Sequence, residues 1–363
     1  MSSINESLRP TPDGAHPGTH PGTPTGTTGD AFVRAGASGA RVTHPLATIP
    51  LTQLLYLLGT GPALLLGLPA VMRAAEGAGQ GATIALGIVL QLLMLIGPYA
   101  ALWLWLRYYE RRSFFASTGL GFRWKSLTGL LWGMALAVAY IAGWIGIALA
   151  VGTAQVEGVW SFDPEGPLVV GLVVLYMLAV RVVMIGIEEQ LFRGWMLQAV
   201  ALRWGRTAGV LLSSVFFSLF HFTFVGFYLA GGEPHRAHWV LMLNIFLWAV
   251  LAALVTLRTG NLWAAIGFHA AALILPSALF TVAVPPGGEG VPAWFPLDEA
   301  VGAVIVYLPE PSLYTGGVGF AGLFEGLPAT AVLAVMIPLA WWWLRRGEAH
   351  EAADRAAADH SSS

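Results

Sequence analysis

Apolar positions gather into eight long segments, at about 49–72, 82–106, 126–151, 168–190, 207–230, 238–257, 261–284 and 327–344. Each is near the roughly 20 residues that carry a helix across a hydrocarbon core. The pattern predicts an all-α protein, a polytopic transmembrane helical bundle of about eight spans. Residues 1–46 are rich in Pro, Gly, Thr, Ser and His, as in His16-Pro17-Gly18-Thr19, and cannot bury enough apolar surface to fold. They read as a disordered tail; the irregular histidine spacing argues against a metal-binding tract. Spans fill 47–125, and a core of spans fills 126–284. The connection 285–326, opening with Pro285-Pro286-Gly287-Gly288, reads as an extracytoplasmic loop, with a cap or a re-entrant segment as the alternatives. A last span covers 327–346, and 347–363 reads as a flexible tail or short frayed helix. No basic segment with an apolar core opens the chain, so no cleaved signal peptide is expected.

Composition strengthens this picture. The chain is 56% hydrophobic and 10% charged, against roughly 45–50% and about 25% for soluble domains. A net charge of -2 points away from a nucleic-acid partner, and the absence of cysteine excludes disulfides, cysteine-ligated iron–sulfur clusters and thiolate zinc sites. Arg107, Arg111, Arg112, Arg123 and Lys125 fall in one connection, Arg203 and Arg206 in another, and Arg345 and Arg346 after the last span. The alternate connections hold Arg73 and Arg236 but are rich in acids. The asymmetry predicts both termini on the cytoplasmic side of the membrane, with the plasma membrane as the expected location. Arg258 fits this order least well.

Charge inside the spans is rare and therefore informative. Glu188, Glu189 and Arg193 lie at the end of the run 168–190, where one charge costs roughly 2.5–3.5 kcal/mol. On a helix Glu189 and Arg193 are four apart and can pair, whereas Glu188 points about 100° away. One acid is thus neutralised locally and the other left free. His221, with Phe217 four residues before it, and His269, among small residues, sit on two later spans. A buried histidine alone is commonly a packed core residue, but two with an unpaired acid point to a site. Arg181 lies two turns before Glu188 and reads either as its counter-ion or as a structural pair elsewhere. Asn244 reads by default as a helix contact.

Glu188-Glu189-x-x-x-Arg193, Phe217-x-x-x-His221 and His269 resemble, in order, the three motifs of the CPBP intramembrane proteases, which include type II CAAX prenyl endopeptidases and the Abi proteins. The resemblance spans roughly 125–275 and takes in the Phe-Arg-Gly ending and the stretch Arg258-Thr259-Gly260-Asn261-Leu262-Trp263. It implies an intramembrane catalytic core that hydrolyses peptide bonds of membrane-associated substrates. By that resemblance Glu188 and His221 activate a water, His269 stabilises the oxyanion, and Glu189 with Arg193 support the helix. One departure stands out. The family has Asn or Asp four residues after the last histidine, where this chain has Leu273. Asn244 is one possible substitute for it.

The family's metalloprotease name raises zinc as a possible cofactor, with Glu188, His221 and His269 as its ligands; activation of water by acid and histidine needs no ion. Two rivals to the protease remain. One is a non-catalytic immunity or binding protein, favoured by Leu273. The other is a proton-coupled transporter, which would call for inverted repeats that the chain does not display.

Overall fold

The computed structural model describes residues 26–362, apart from 77–78, 163–165, 229–238, 278, 286–300, 313 and 317–325. In chain order the helices are α1 (Thr28–Ala35), α2 (Pro45–Pro62), α3 (Leu68–Ala75), α4 (Gln80–Leu104), α5 (Trp124–Ala150), α6 (Gly166–Glu189), α7 (Leu197–Trp204), α8 (Arg206–Tyr228), α9 (Trp239–Thr259), α10 (Trp263–Ile274) and α11 (Leu327–Ser362). Three π-helical turns, at Ala63–Gly67, Trp105–Glu110 and Gln190–Met196, prolong α2, α4 and α6. The chain is an all-α membrane bundle, and among the described residues six helical stretches are long and apolar enough to cross a bilayer.

Helices stand over all eight apolar segments, but the seventh departs from a full span. α10 is 12 residues long and gives way at Pro276 to a 3-10 turn. Pro lacks the N–H that a continuing helix needs. The β-branched run beyond it forms strand β2 (Phe280–Ala283), which pairs parallel with β3 (Gly302–Tyr307); β1 (Gln155–Ser161) pairs antiparallel on β3's other side. Part of the connection 285–326 is thus a strand of a small sheet that closes one end of the bundle. Residues 286–300, including Pro286-Gly287-Gly288, and 317–325 lie outside the described residues.

The expected tail also divides. Its first 25 residues lie outside the described set, but residues 28–35 form α1. Composition averaged over 46 residues hid Phe32 and Val33, which are buried in the core. Thr27 and Asp30 build a capping box at the start of α1, satisfying two of its free N–H groups. The C-terminal tail likewise continues as α11, and Glu351 accepts from the Thr28 amide at 2.7 Å and hydroxyl at 2.6 Å. Arg206 bridges Asp30, at 3.2 Å, and Glu348.

This clasp has a pH dependence. Burial pushes the Asp30 carboxyl up, but bonds from the Thr27 amide and hydroxyl, with Arg206, outweigh it and leave Asp30 below its ordinary value. A depressed carboxylate stabilises the folded form above its unfolded pKa, and that stabilisation is lost as pH falls through the folded value. The hydrogen-exchange protection factors of residues 28–35, with intrinsic rates divided out, are therefore expected to be flat from neutrality to about pH 4 and to fall below it. Asp30→Asn should show lower protection at neutral pH and lose the acid step; an unchanged step would remove Asp30 from the clasp.

Two crossings set where the site lies. α9 is apolar all round, and most of it is buried, so it is the central post. α10 lies against α5 with backbones in contact: a Cβ at Gly133 would stand 2.7 Å from the Phe268 nitrogen, and one at Gly267 would strike the Leu130 carbonyl. Small residues permit that approach in membranes, where close packing drives association. Gly267→Ala is expected to lower stability by about 1–3 kcal/mol, the usual cost of overpacking. Thermal unfolding in detergent checks this, and an unchanged midpoint would contradict the backbone contact.

Candidate active site

The site begins where α6 changes environment. Its first half carries exposed Leu168, Leu172 and Leu175, an apolar face suited to lipid. From Ile185 onward every residue to Ala201 is buried. Glu188, Glu189 and Arg193 therefore lie in protein interior, the expected setting for ionisable groups at membrane depth.

Arg193 Nη1 donates to Glu189 Oε1 at 3.3 Å, and both side chains are fully buried. The arginine's guanidinium lies 3.9 Å over the Phe217 ring and 5.3 Å from that of Trp248. A cation that cannot reach water is thus held by one carboxylate and two aromatic faces. The pairing expected from i, i+4 spacing forms although the segment is π-helical from Gln190 to Met196, an irregularity common at functional sites.

Glu189 also reaches the later histidine. His269 Nδ1 lies 2.9 Å from Glu189 Oε1, a bond across 80 residues from α10 to α6. Because a carboxylate accepts, His269 donates from Nδ1, which fixes its ring against Trp248 with centroids 4.2 Å apart. His221 Nδ1 lies 2.9 Å from the carbonyl of Phe217 on its own helix. A carbonyl accepts only, so His221 carries its proton there and presents Nε2 as an acceptor. Phe217 is the hub of the cluster. Its ring centroid is 4.5 Å from His221 and 5.9 Å from His269, with Arg193 stacked on it.

The structure thus brings together Glu189, Arg193, His221 and His269. Glu188 is buried beside them but, among the described residues, makes no hydrogen bond and no ion pair to either histidine. The charged or titratable groups that act on it include Glu189, Arg193, Arg181 and Tyr99. Tyr99, from α4, donates to the Val183 carbonyl at 2.6 Å, and a Cβ on Gly186 would strike its hydroxyl. Glu189, expected only to neutralise Arg193, is also the group that orients His269.

Two supporting residues take other places. Asn244 donates to the Gly326 carbonyl at 2.9 Å and accepts from Thr330 at 2.6 Å. Those bonds tie α9 to α11, which is the helix-contact reading. Arg181 forms no ion pair among the described residues, and its one hydrogen bond runs to the Met184 sulfur at 3.4 Å. It acts on Glu188 through space, without contact. Leu273 packs against the apolar core and supplies no polar group beside His269.

The three side chains considered as zinc ligands do not form a ligand set. His269 and His221 each use Nδ1 in a hydrogen bond, to Glu189 and to a carbonyl, which leaves their Nε2 atoms as the available ligands. Among the described residues no three His, Cys, Asp or Glu side chains stand close enough to hold a metal ion. A zinc ion does not fit this arrangement.

Sequence reading missed a second buried network. Glu110, at the end of a π-helical turn, pairs with Arg112 at 2.6 Å and accepts from Thr43 at 2.5 Å and from the Trp195 indole at 2.9 Å. Arg112 donates in turn to Gln198 at 2.9 Å, and Gln190 donates to Thr118 at 2.9 Å. The loop 110–118 therefore grips the site segment at Gln190, Trp195 and Gln198. Glu110 sits among Arg107, Arg111 and Arg112, which reads in sequence as an exposed cluster; only its Thr43 and Trp195 partners reveal its burial.

Against known proteins, residues 170–275 match the family model described as Type II CAAX prenyl endopeptidase Rce1-like. No curated protein and no solved structure matches the chain. The match begins in α6 and ends with α10, narrower than the expected 125–275, so that α5 falls outside it although α10 rests on it. The segment bounded in this way contains both acids, both histidines and Arg193. Residues 170–275 are thus similar to the Rce1-like type II CAAX prenyl endopeptidases, a group of CPBP intramembrane proteases.

Proposed function

We propose that the chain is an intramembrane endopeptidase that cuts membrane-associated proteins or peptides with a water activated by Glu188. The observation that carries this reading is the division of the acid pair. Glu189 is occupied by Arg193 and His269, whereas Glu188 is buried with its carboxylate uncommitted among the described residues. A carboxylate out of bulk water and without donors is a suitable proton acceptor.

In the proposed reaction Glu188 takes a proton from water as the oxygen attacks the peptide carbonyl. His221 Nε2, an acceptor by its tautomer, helps to orient that water. Charge then develops on the carbonyl oxygen. His269, with Glu189 at Nδ1, is supported in its protonated form, which carries a second donor at Nε2 for the oxyanion. Collapse of the tetrahedral intermediate breaks the C–N bond, and Glu188 returns its proton to the leaving amine. The order of basic residues supports cleavage near the cytoplasmic face of the membrane, with both termini cytoplasmic; the plasma membrane is the proposed location.

The competing reading is a membrane protein that binds a peptide in the same place without cutting it. Leu273 favours it, because the side chain four residues after His269 offers no donor. Comparing membrane-proteome cleavage products from cells expressing wild type or Glu188→Ala separates the two. Products lost in the variant support hydrolysis; identical product sets support binding alone.

A further inference from the structure

Arg181 leaves a charge unexplained. It is partly buried on α6, and among the described residues it has no carboxylate partner, only the sulfur of Met184 at 3.4 Å. A thioether is a weak acceptor and does not offset a charge. Arginine at membrane depth is costly and pairs or marks a site. Arg181 lines a cavity of about 510 Å³ between α2, α4 and α6, within the range of small-ligand sites. Gln91 and Tyr176 add polar groups to that wall, and Met94 adds an adaptable apolar one. The cavity borders the proposed catalytic groups at both sides: Ile187 precedes Glu188, and Ile274 lies on the His269 helix.

We propose that Arg181 is the anion-binding residue of a subsite for a carboxylate carried by a membrane-embedded peptide. The cation, among the described residues the one charged side chain lining the cavity, sets the charge of the ligand, and depth sets its kind. Arg181 is fifteen residues past Gly166, about 22 Å along the axis at 1.5 Å per residue. With the start of α6 at one boundary of a hydrocarbon core about 30 Å thick, Arg181 lies inside the core, clear of the lipid phosphates. A peptide entering the bundle can bring a carboxylate to that depth, from its C-terminus or from an acidic side chain. The proposal rests on the peptidase reading for the nature of the occupant, and on geometry for the charge.

The test reads binding, so that it stands apart from cleavage. Full-length protein carrying Glu188→Gln is placed in phosphatidylcholine nanodiscs and titrated with three labelled apolar peptides of one length. One ends in a free carboxylate, one in an amide, and one in an amide with an internal Glu. At least one carboxylate peptide is expected to bind about tenfold more tightly than the neutral one, and the one that gains identifies the source. Arg181→Gln should erase that preference, and Arg181→Lys should keep part of it, which separates charge from folding. Equal binding of all three peptides, or a preference that survives Arg181→Gln, overturns the proposal. So does loss of the preference in phosphatidylglycerol discs through competition at Arg181, which would assign the subsite to lipid. The same peptides are then offered to the wild type. Carboxylate preference without cleavage would retain this subsite and remove the peptidase reading.

Discussion

Glu188→Gln is expected to leave the bundle folded while slowing peptide cleavage by about 10²–10⁴-fold, the usual contribution of a positioned general base. That range corresponds to about 3–5 kcal/mol of transition-state stabilisation. The amide keeps the shape of the carboxylate, so packing against Tyr99 and the adjoining helices is preserved. It removes an acid that has no hydrogen-bonding partner among the described residues, and an uncompensated buried charge is unfavourable to the fold. Stability should therefore hold or rise as activity falls. Rates and thermal midpoints measured on one preparation check this opposition. Retained cleavage in Glu188→Gln would transfer the base role to the Glu189–His269 pair. A fall in both quantities would make Glu188 structural.

That expectation depends on a division that sequence could only half supply. Helical spacing put Glu189 beside Arg193 and Glu188 elsewhere, and the ion pair at 3.3 Å agrees. Spacing could not say which acid meets the histidines, because that depends on where α10 crosses. The crossing follows from backbone contact between α5 and α10 near Gly133 and Gly267, a long-range fact. The three charged or aromatic motifs were legible because a bilayer makes polar residues conspicuous. Glu110 was not, since its sequence neighbours are arginines and the residues that bury it, Thr43 and Trp195, lie 67 and 85 residues away. Elements at the margins were misread for local reasons. Pro276 stops α10 inside what looks like one apolar run, and Phe32 and Val33 anchor α1 within a stretch whose average composition suggests disorder.

Arg193→Met should be the most destabilising single change in the site. Both partners of the Arg193–Glu189 pair are fully buried, and removing one member of a buried pair typically costs about 3–5 kcal/mol because the other charge remains without compensation. Here the loss reaches further. Arg193 also fills the face of Phe217, the ring on which His221 and His269 rest, so the imidazoles should lose their fixed orientation. Added salt should not mimic the defect, since a dry pair is little screened. Glu189→Gln with Arg193→Met should regain much of the stability, because neither charge is then left buried alone. It should not regain activity, because His269 would face an amide in place of the carboxylate that supports its protonated form. Unfolding midpoints and cleavage rates for the two single variants and the double variant complete the cycle. If the double variant recovers cleavage together with stability, the pair only holds the helix and His269 does not depend on Glu189. If stability alone returns, one carboxylate both neutralises Arg193 and orients His269.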